Sequence, residues 1–125
     1  MRKKRILVVD DEPSVTRLLK LNLEQTGDYE VREVNAGAKA VETAREFKPD
    51  LVLLDVMLPD MDGGQVAAGL KADSKLKKTP IVFLTAAVNE AEVKANKGRI
   101  GGFPFIAKPL HVKNVIEAIE ANLAG

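Results

Sequence analysis

The chain has 125 residues, with nineteen Lys and Arg against eighteen Asp and Glu, one His and no Cys. That is the length of one domain, and a 46% hydrophobic content is enough for a core, which excludes a disordered chain and a second independent core. The balanced charge excludes the large single-sign field that non-specific nucleic-acid or acidic-membrane binding needs, and the missing cysteines exclude disulfides, thiolate zinc, iron–sulfur clusters and a cysteine nucleophile.

The basic start MRKKR leads into a short apolar run, Ile6 to Val9, that ends at once on Asp10-Asp11-Glu12. Such a run is too short for a signal peptide or a membrane span, so a cytoplasmic location with no membrane contact is expected. The same run reads as a first strand. A helix follows, with Val15, Leu18, Leu19 and Leu23 at helical spacing, Pro13 suited to its first turn and Gly27 placed to stop it. Tyr29 to Val34 reads as a second strand, and Ala40, Val41, Ala44 and Phe47 as a second helix ended by Pro49. Leu51 to Leu54 makes a third strand, and Val66, Ala67, Leu70 and Ala72 a weaker helix. Ile81 to Leu84 is the fourth strand, residues 89–97 a fourth helix with few apolar positions, and Phe105 to Ala107 a short fifth strand. Val112, Val115, Ile116, Ile119 and Leu123 complete a fifth helix. Three of the strand runs are continuously apolar, the mark of strands buried on both faces. Strands alternating with helices therefore predict an open parallel α/β sheet covered on each side, with no internal repeat or linker.

Chemistry in such sheets gathers outside the carboxyl ends of the strands. Strand one runs into Asp10-Asp11, strand three ends at Asp55, strand four at Thr85-Ala86, and strand five leads to Lys108-Pro109. With strands one and three as neighbours, three carboxylates converge, and two charges about 5 Å apart at an effective dielectric near 20 repel by roughly 3 kcal/mol. Lys108 offsets part of that; a divalent cation held only by oxygen, magnesium by preference, offsets the rest. The plainer reading, in which Asp10 and Asp11 merely cap the first helix, accounts for one carboxylate and leaves the other two without a role.

These residues carry a resemblance. The acidic pair in VVDDE, the segment DLVLLDVMLPDMDGG around Asp55, PIVFLTA with Thr85, and the Lys108-Pro109 dipeptide resemble the receiver domain of two-component response regulators over essentially all of residues 1–125. Asp55 follows Asp10 by 45 residues, Thr85 follows Asp55 by 30, and Lys108 follows Thr85 by 23, spacings that suit the family. The resemblance implies a flavodoxin-like sheet in the order 2-1-3-4-5 with five helices on both faces. It implies that Asp55 takes a phosphoryl group from the phosphohistidine of a sensor histidine kinase or phosphotransfer protein. It further implies magnesium on Asp11, Asp55 and the main-chain carbonyl of Met57, with Asp10 holding the ion through water. Lys108, the Thr85 hydroxyl and the Ala86 amide contact the phosphoryl oxygens. Switching is expected to draw Thr85 toward the phosphate and let Phe105, three residues before Lys108, turn inward. That would alter the surface of helix four, strand five and helix five that an output domain or effector protein reads. The implied role is signalling and self-assisted phosphorylation rather than turnover of a substrate, with no direct nucleic-acid binding.

The stretch GRIGGFPFIAKP departs from the family's usual approach to strand five. Pro104 cannot donate a ladder hydrogen bond, which suits an edge or a strand start, and Gly98, Gly101 and Gly102 predict that helix four and its exit are the mobile part. Asp60, Asp62 and Gly63 read as turn residues after Pro59, and His111, lacking a partner His or Cys, as a surface residue. An aspartate-based phosphohydrolase is disfavoured because Met57 stands where a second acid belongs, and a flavin carrier because Asp10-Asp11-Glu12 replaces a phosphate loop. Side chains such as Met57 and Ala87 are expected to flank water's approach to the site. The remaining rival is a receiver-like module that binds partners without being phosphorylated.

Overall fold

The computed structural model describes residues 2–85, 99–100 and 103–123. Its order is β1 (Lys4–Val9), α1 (Pro13–Gln25), β2 (Tyr29–Val34), a 3-10 turn (Gly37–Lys39), α2 (Ala40–Phe47), β3 (Leu51–Asp55), α3 (Gly63–Ala72) and β4 (Ile81–Thr85). It continues with β5 (Arg99–Ile100), β6 (Phe103–Ala107) and α4 (Val112–Asn122), the last helix. The helix predicted over 89–97, and the mobility expected of it and its exit, lie outside the described residues.

The sheet order is β2-β1-β3-β4-β6-β5, and its first five strands are parallel, which gives the expected 2-1-3-4-5 arrangement with β6 as the fifth strand. One feature differs from expectation. β6 is not the outermost strand, because Arg99 and Ile100 pair antiparallel with Pro104 and Phe103. Pro104, the second residue of β6, sits where the ladder is only two residues long, so its missing N–H costs little.

Every residue of β3 and β4 is buried, as is β1 from Ile6 onward. Successive side chains in a strand point to opposite faces, so continuous apolar runs fill two cores at once. Leu7, Val9, Val52, Leu54 and Phe83 pack beneath α2 and α3, while Ile6, Val8, Leu51, Leu53 and Leu84 pack beneath α1 and α4. Each fully buried Leu or Ile contributes about 1.5–3 kcal/mol relative to exposure. β2, on the rim of the sheet, instead alternates: Tyr29, Val31 and Val34 are buried while Glu30 and Arg32 face water, with the Arg32 guanidinium 4.9 Å from the centre of the Phe47 ring.

At the amino ends of the strands, the Tyr29 hydroxyl donates to the Glu120 carboxylate on α4, joining the two helices' face to the edge strand. Burial first, then the Glu120 hydrogen bond and the charges of Glu120 and Asp28, push this phenol well above its ordinary value. A pKa raised by folding stabilises the native state at pH below the unfolded value of about 10, and that contribution is lost as pH rises through the folded value. Tyr29 is the only tyrosine and there is no Trp. Phenolate absorbance near 295 nm should therefore stay absent in the folded protein at pH values where a denatured sample has already ionised. Tyr29→Phe should lower stability at neutral pH by about 1 kcal/mol in urea unfolding.

Candidate functional site

Parallel topology puts the carboxyl ends of β1, β3, β4 and β6 on one rim, so residues distant in sequence meet there without any further device. Asp10, just past β1, is completely buried, and its amide donates to Val34 O at 3.0 Å. Its Oδ1 accepts the Glu12 amide at 3.0 Å, and its main-chain carbonyl accepts Asn35 Nδ2 at 2.9 Å. Asn35 also donates to the hydroxyl of the fully buried Thr16 at 3.0 Å, so the β1 exit is tied both to α1 and to the end of β2. α1 itself begins at Pro13 with Glu12 as N-cap and no side-chain capping bond. Asp10 and Asp11 are therefore not its caps.

Asp55 ends β3 and is buried. Its Oδ1 accepts the Met57 amide at 2.9 Å and its Oδ2 accepts Lys108 Nζ at 3.1 Å. Carboxylate oxygens of Asp10, Asp11 and Asp55 all lie within 4.8 Å of one another. Lys108, directly after β6, brings its ammonium to 2.9 Å from Asp10 Oδ2 and 3.8 Å from Glu12 Oε1. Burial pushes the Lys108 ammonium down, but its close pairing with the Asp10 and Asp55 carboxylates outweighs that and holds it above the ordinary lysine value. Its amide donates to Thr85 O at 2.8 Å, which fixes the loop after β6 against the end of β4, and the Lys108–Pro109 peptide is cis.

Thr85 is buried at the last position of β4, opposite Ala107. Ala86 and Ala87 lie outside the described residues. Met57 is the most exposed large hydrophobic residue of the described chain, at 69%. Phe105, opposite Phe83 in the ladder, is half-buried against the core under α2 and α3. His111 is exposed as the N-cap residue of α4.

The turn residues after Pro59 do more than reverse the chain. The Asp62 side chain accepts the Gly64 amide at 2.7 Å while the Asp62 amide donates to Gln65 Oε1 at 3.1 Å, a capping box that starts α3. The Asp-x-x-Gln spacing was the available signal. Gly63 leaves no room for a side chain: a Cβ there would meet Asp55 O at 2.5 Å and Val56 Cα at 2.8 Å. The first turn of α3 thus rests directly on the main chain that carries Asp55.

A hard divalent cation fits these donors. Three carboxylates in mutual reach offer oxygen only, one ammonium balances a single charge, and Asp10 Oδ2, though paired with Lys108, has no well-aligned hydrogen-bond donor among the described residues. Removing Lys108 should leave Asp10 and Asp55 without their counter-charge. Lys108→Met is expected to lower stability by about 3 kcal/mol in urea unfolding without divalent ions, and added magnesium should recover part of the loss.

The family model of the response regulator receiver domain matches residues 6–120. The DNA-binding response regulator MtrA of Mycolicibacterium smegmatis is 38% identical over 121 residues, which are 97% of this chain and 51% of that protein. The chain spans about half the length of the curated relatives it matches. Chemotaxis protein CheY4 of Vibrio cholerae superposes with a TM-score of 0.84 at 25% identity, covering 98% of this chain and 100% of that one. The receiver domain of sensor histidine kinase PA1611 from Pseudomonas aeruginosa PAO1, solved with a magnesium ion coordinated in its active site cleft, superposes with a TM-score of 0.80 at 25% identity over 96% of this chain and 97% of that one. No helix among the described residues is long and apolar enough to cross a membrane.

Proposed function

The chain belongs to the response regulator receiver domains, the phosphoacceptor signalling domains of two-component systems, and from that premise we propose that Asp55 is the residue that takes the phosphoryl group. The observation that carries this reading is the convergence of Asp10, Asp11 and Asp55 with Lys108 on one rim. We read residues 1–125 as a single domain doing one job in the cytoplasm, with phosphorylation of its own aspartate and loss of that phosphate as its only chemistry.

An Asp55 carboxylate oxygen attacks the phosphorus of a phosphohistidine. The new O–P bond forms as the P–N bond breaks, and its electron pair leaves with the imidazole, which then takes up a proton. Met57 N–H and Lys108 orient the attacking carboxylate from its two oxygens. Asp11, Asp55 and the Met57 carbonyl, with Asp10 behind them, would hold magnesium, which would supply positive charge to the phosphoryl oxygens. Lys108 contributes a second, compact charge, and the Thr85 hydroxyl and Ala86 amide add hydrogen bonds. With the phosphate in place Thr85 shifts toward it and Phe105 turns inward by packing alone, since Phe has no hydroxyl to bond. The face carried by β6 and α4 then presents a changed surface to an output domain or effector protein.

The donor is a sensor histidine kinase or a phosphotransfer protein. An apolar groove of about 390 Å³ between α1 and the start of α4, lined by Val15, Leu18, Pro109 and Leu110, ends on Lys108 itself, and Leu18 is 54% exposed. A protein that brings its phosphohistidine to Asp55 covers this groove. Leu18→Asp should therefore slow transfer from the partner kinase by roughly tenfold, about 1.4 kcal/mol, and leave labelling by acetyl phosphate unchanged. Intact mass after incubation with magnesium and acetyl phosphate should show one phosphate adduct, absent without magnesium and absent in Asp55→Asn. A wild-type chain that never gains the adduct would return the reading to an interaction module that works without phosphorylation.

A further inference from the structure

The loop that leaves Asp55 carries a second set of contacts that phosphoryl chemistry does not use. Asp60 accepts the amides of Gly37 at 3.0 Å and Ala38 at 2.9 Å, both in the 3-10 turn before α2. Met61 covers the same turn so closely that a Cβ on Gly37 would stand 2.5 Å from its Cγ and 3.1 Å from Leu58 Cδ1. The loop closes on itself through an antiparallel bridge between Met57 and Asp62, and Asp62 then caps α3. Leu58 is buried in the core under α2 and α3.

These fixed points differ in kind. The bridge and the cap hold the loop to itself and to the helix that follows it, whereas the Asp60 carboxylate ties it to the connection after another strand. Both of its bonds are charge-assisted, a carboxylate accepting from main-chain N–H, which are stronger than neutral ones. The Ala38 and Gly37 amides also hold the Asp60 carboxyl below the usual carboxylate range. Three residues before Asp60 stands Met57, whose carbonyl belongs to the magnesium set under the phosphoacceptor reading.

We propose that Asp60 is a positioning residue for the metal-binding loop: by latching segment 57–62 to the Gly37–Ala38 turn it holds the Met57 carbonyl beside Asp55 and thereby sets divalent-cation affinity without touching the ion. The inference rests on the phosphoacceptor reading. A residue outside the ligand set that orients a ligand commonly changes metal affinity tenfold or more. A purely structural Asp60, serving only to steady the start of α2, would change stability and leave affinity alone.

The test is a magnesium titration of the whole chain followed by amide NMR, on wild type, Asp60→Ala, Asp60→Asn and Tyr29→Phe, together with hydrogen exchange at Gly37 and Ala38. Asp60→Ala should raise the magnesium dissociation constant by roughly tenfold. Asp60→Asn, which keeps an accepting oxygen but loses the charge, should raise it by roughly threefold. Exchange at Gly37 and Ala38 should quicken in both, while Tyr29→Phe, destabilised far from the rim, should bind magnesium like wild type. Should Asp60→Ala fail to fold, the Asp60→Asn affinity decides. Magnesium binding unchanged in the Asp60 variants while Gly37 and Ala38 lose protection overturns the latch and leaves the phosphoacceptor reading standing. No magnesium-dependent shift in wild type overturns that reading first and the latch with it.

Discussion

One ammonium between two buried carboxylates is the constraint on which the rest of this rim depends. Lys108 stands 2.9 Å from Asp10 and 3.1 Å from Asp55, with Asp11 inside the same cluster. Taking charges out of water costs several kcal/mol per ion, and mutual attraction repays it only where geometry is good and remaining lone pairs are satisfied. Here the satisfaction is uneven. Among the described residues, Asp55 has the Met57 amide on one oxygen and Lys108 on the other, whereas Asp10 has a well-aligned donor on Oδ1 alone. Among the described residues, three acids against one base leave a site that gains by taking up cationic charge, and that imbalance makes it chemically useful.

The fold's contribution is to make the imbalance inescapable. β1 and β3 are hydrogen-bonded neighbours, so Val9 pairs with Leu54 and the residues that follow, Asp10 and Asp55, emerge side by side. β4 pairs with β6 in register Thr85 to Ala107, which delivers Lys108 to the Thr85 carbonyl and so to the acids. Around this rim, backbone contacts replace side-chain freedom: Gly63 lets α3 rest on the Asp55 carbonyl, Asn35 fastens the exit of β1, and Asp60 fastens the exit of β3. Two cores, one under each face of the sheet, hold the strands that carry these residues.

Much of this is legible in the residues alone. Continuous apolar runs in β1, β3 and β4 announce burial on both faces, and the polar residues that end those runs announce the rim, because both signals are local. Asp62 was legible in part, since Gln65 three residues on is capping-box spacing. Asp60 was not: a carboxylate bonding to amides of another strand's connection has the same local sequence as any Pro-led turn. The antiparallel β5 was missed for a related reason. Two residues are too few to show any period, and a stretch holding Pro104 and several glycines reads as a loop.

The central claim is that Asp55, and no other carboxylate of the cluster, carries the phosphoryl group. Borohydride reduction of the chain after treatment with magnesium and acetyl phosphate, followed by peptide mass mapping, tests it most directly, because an aspartyl phosphate is reduced to homoserine where it formed. Homoserine is expected at position 55, with unmodified aspartate at positions 10 and 11. Homoserine at position 10 or 11, or none anywhere in the chain, would contradict it.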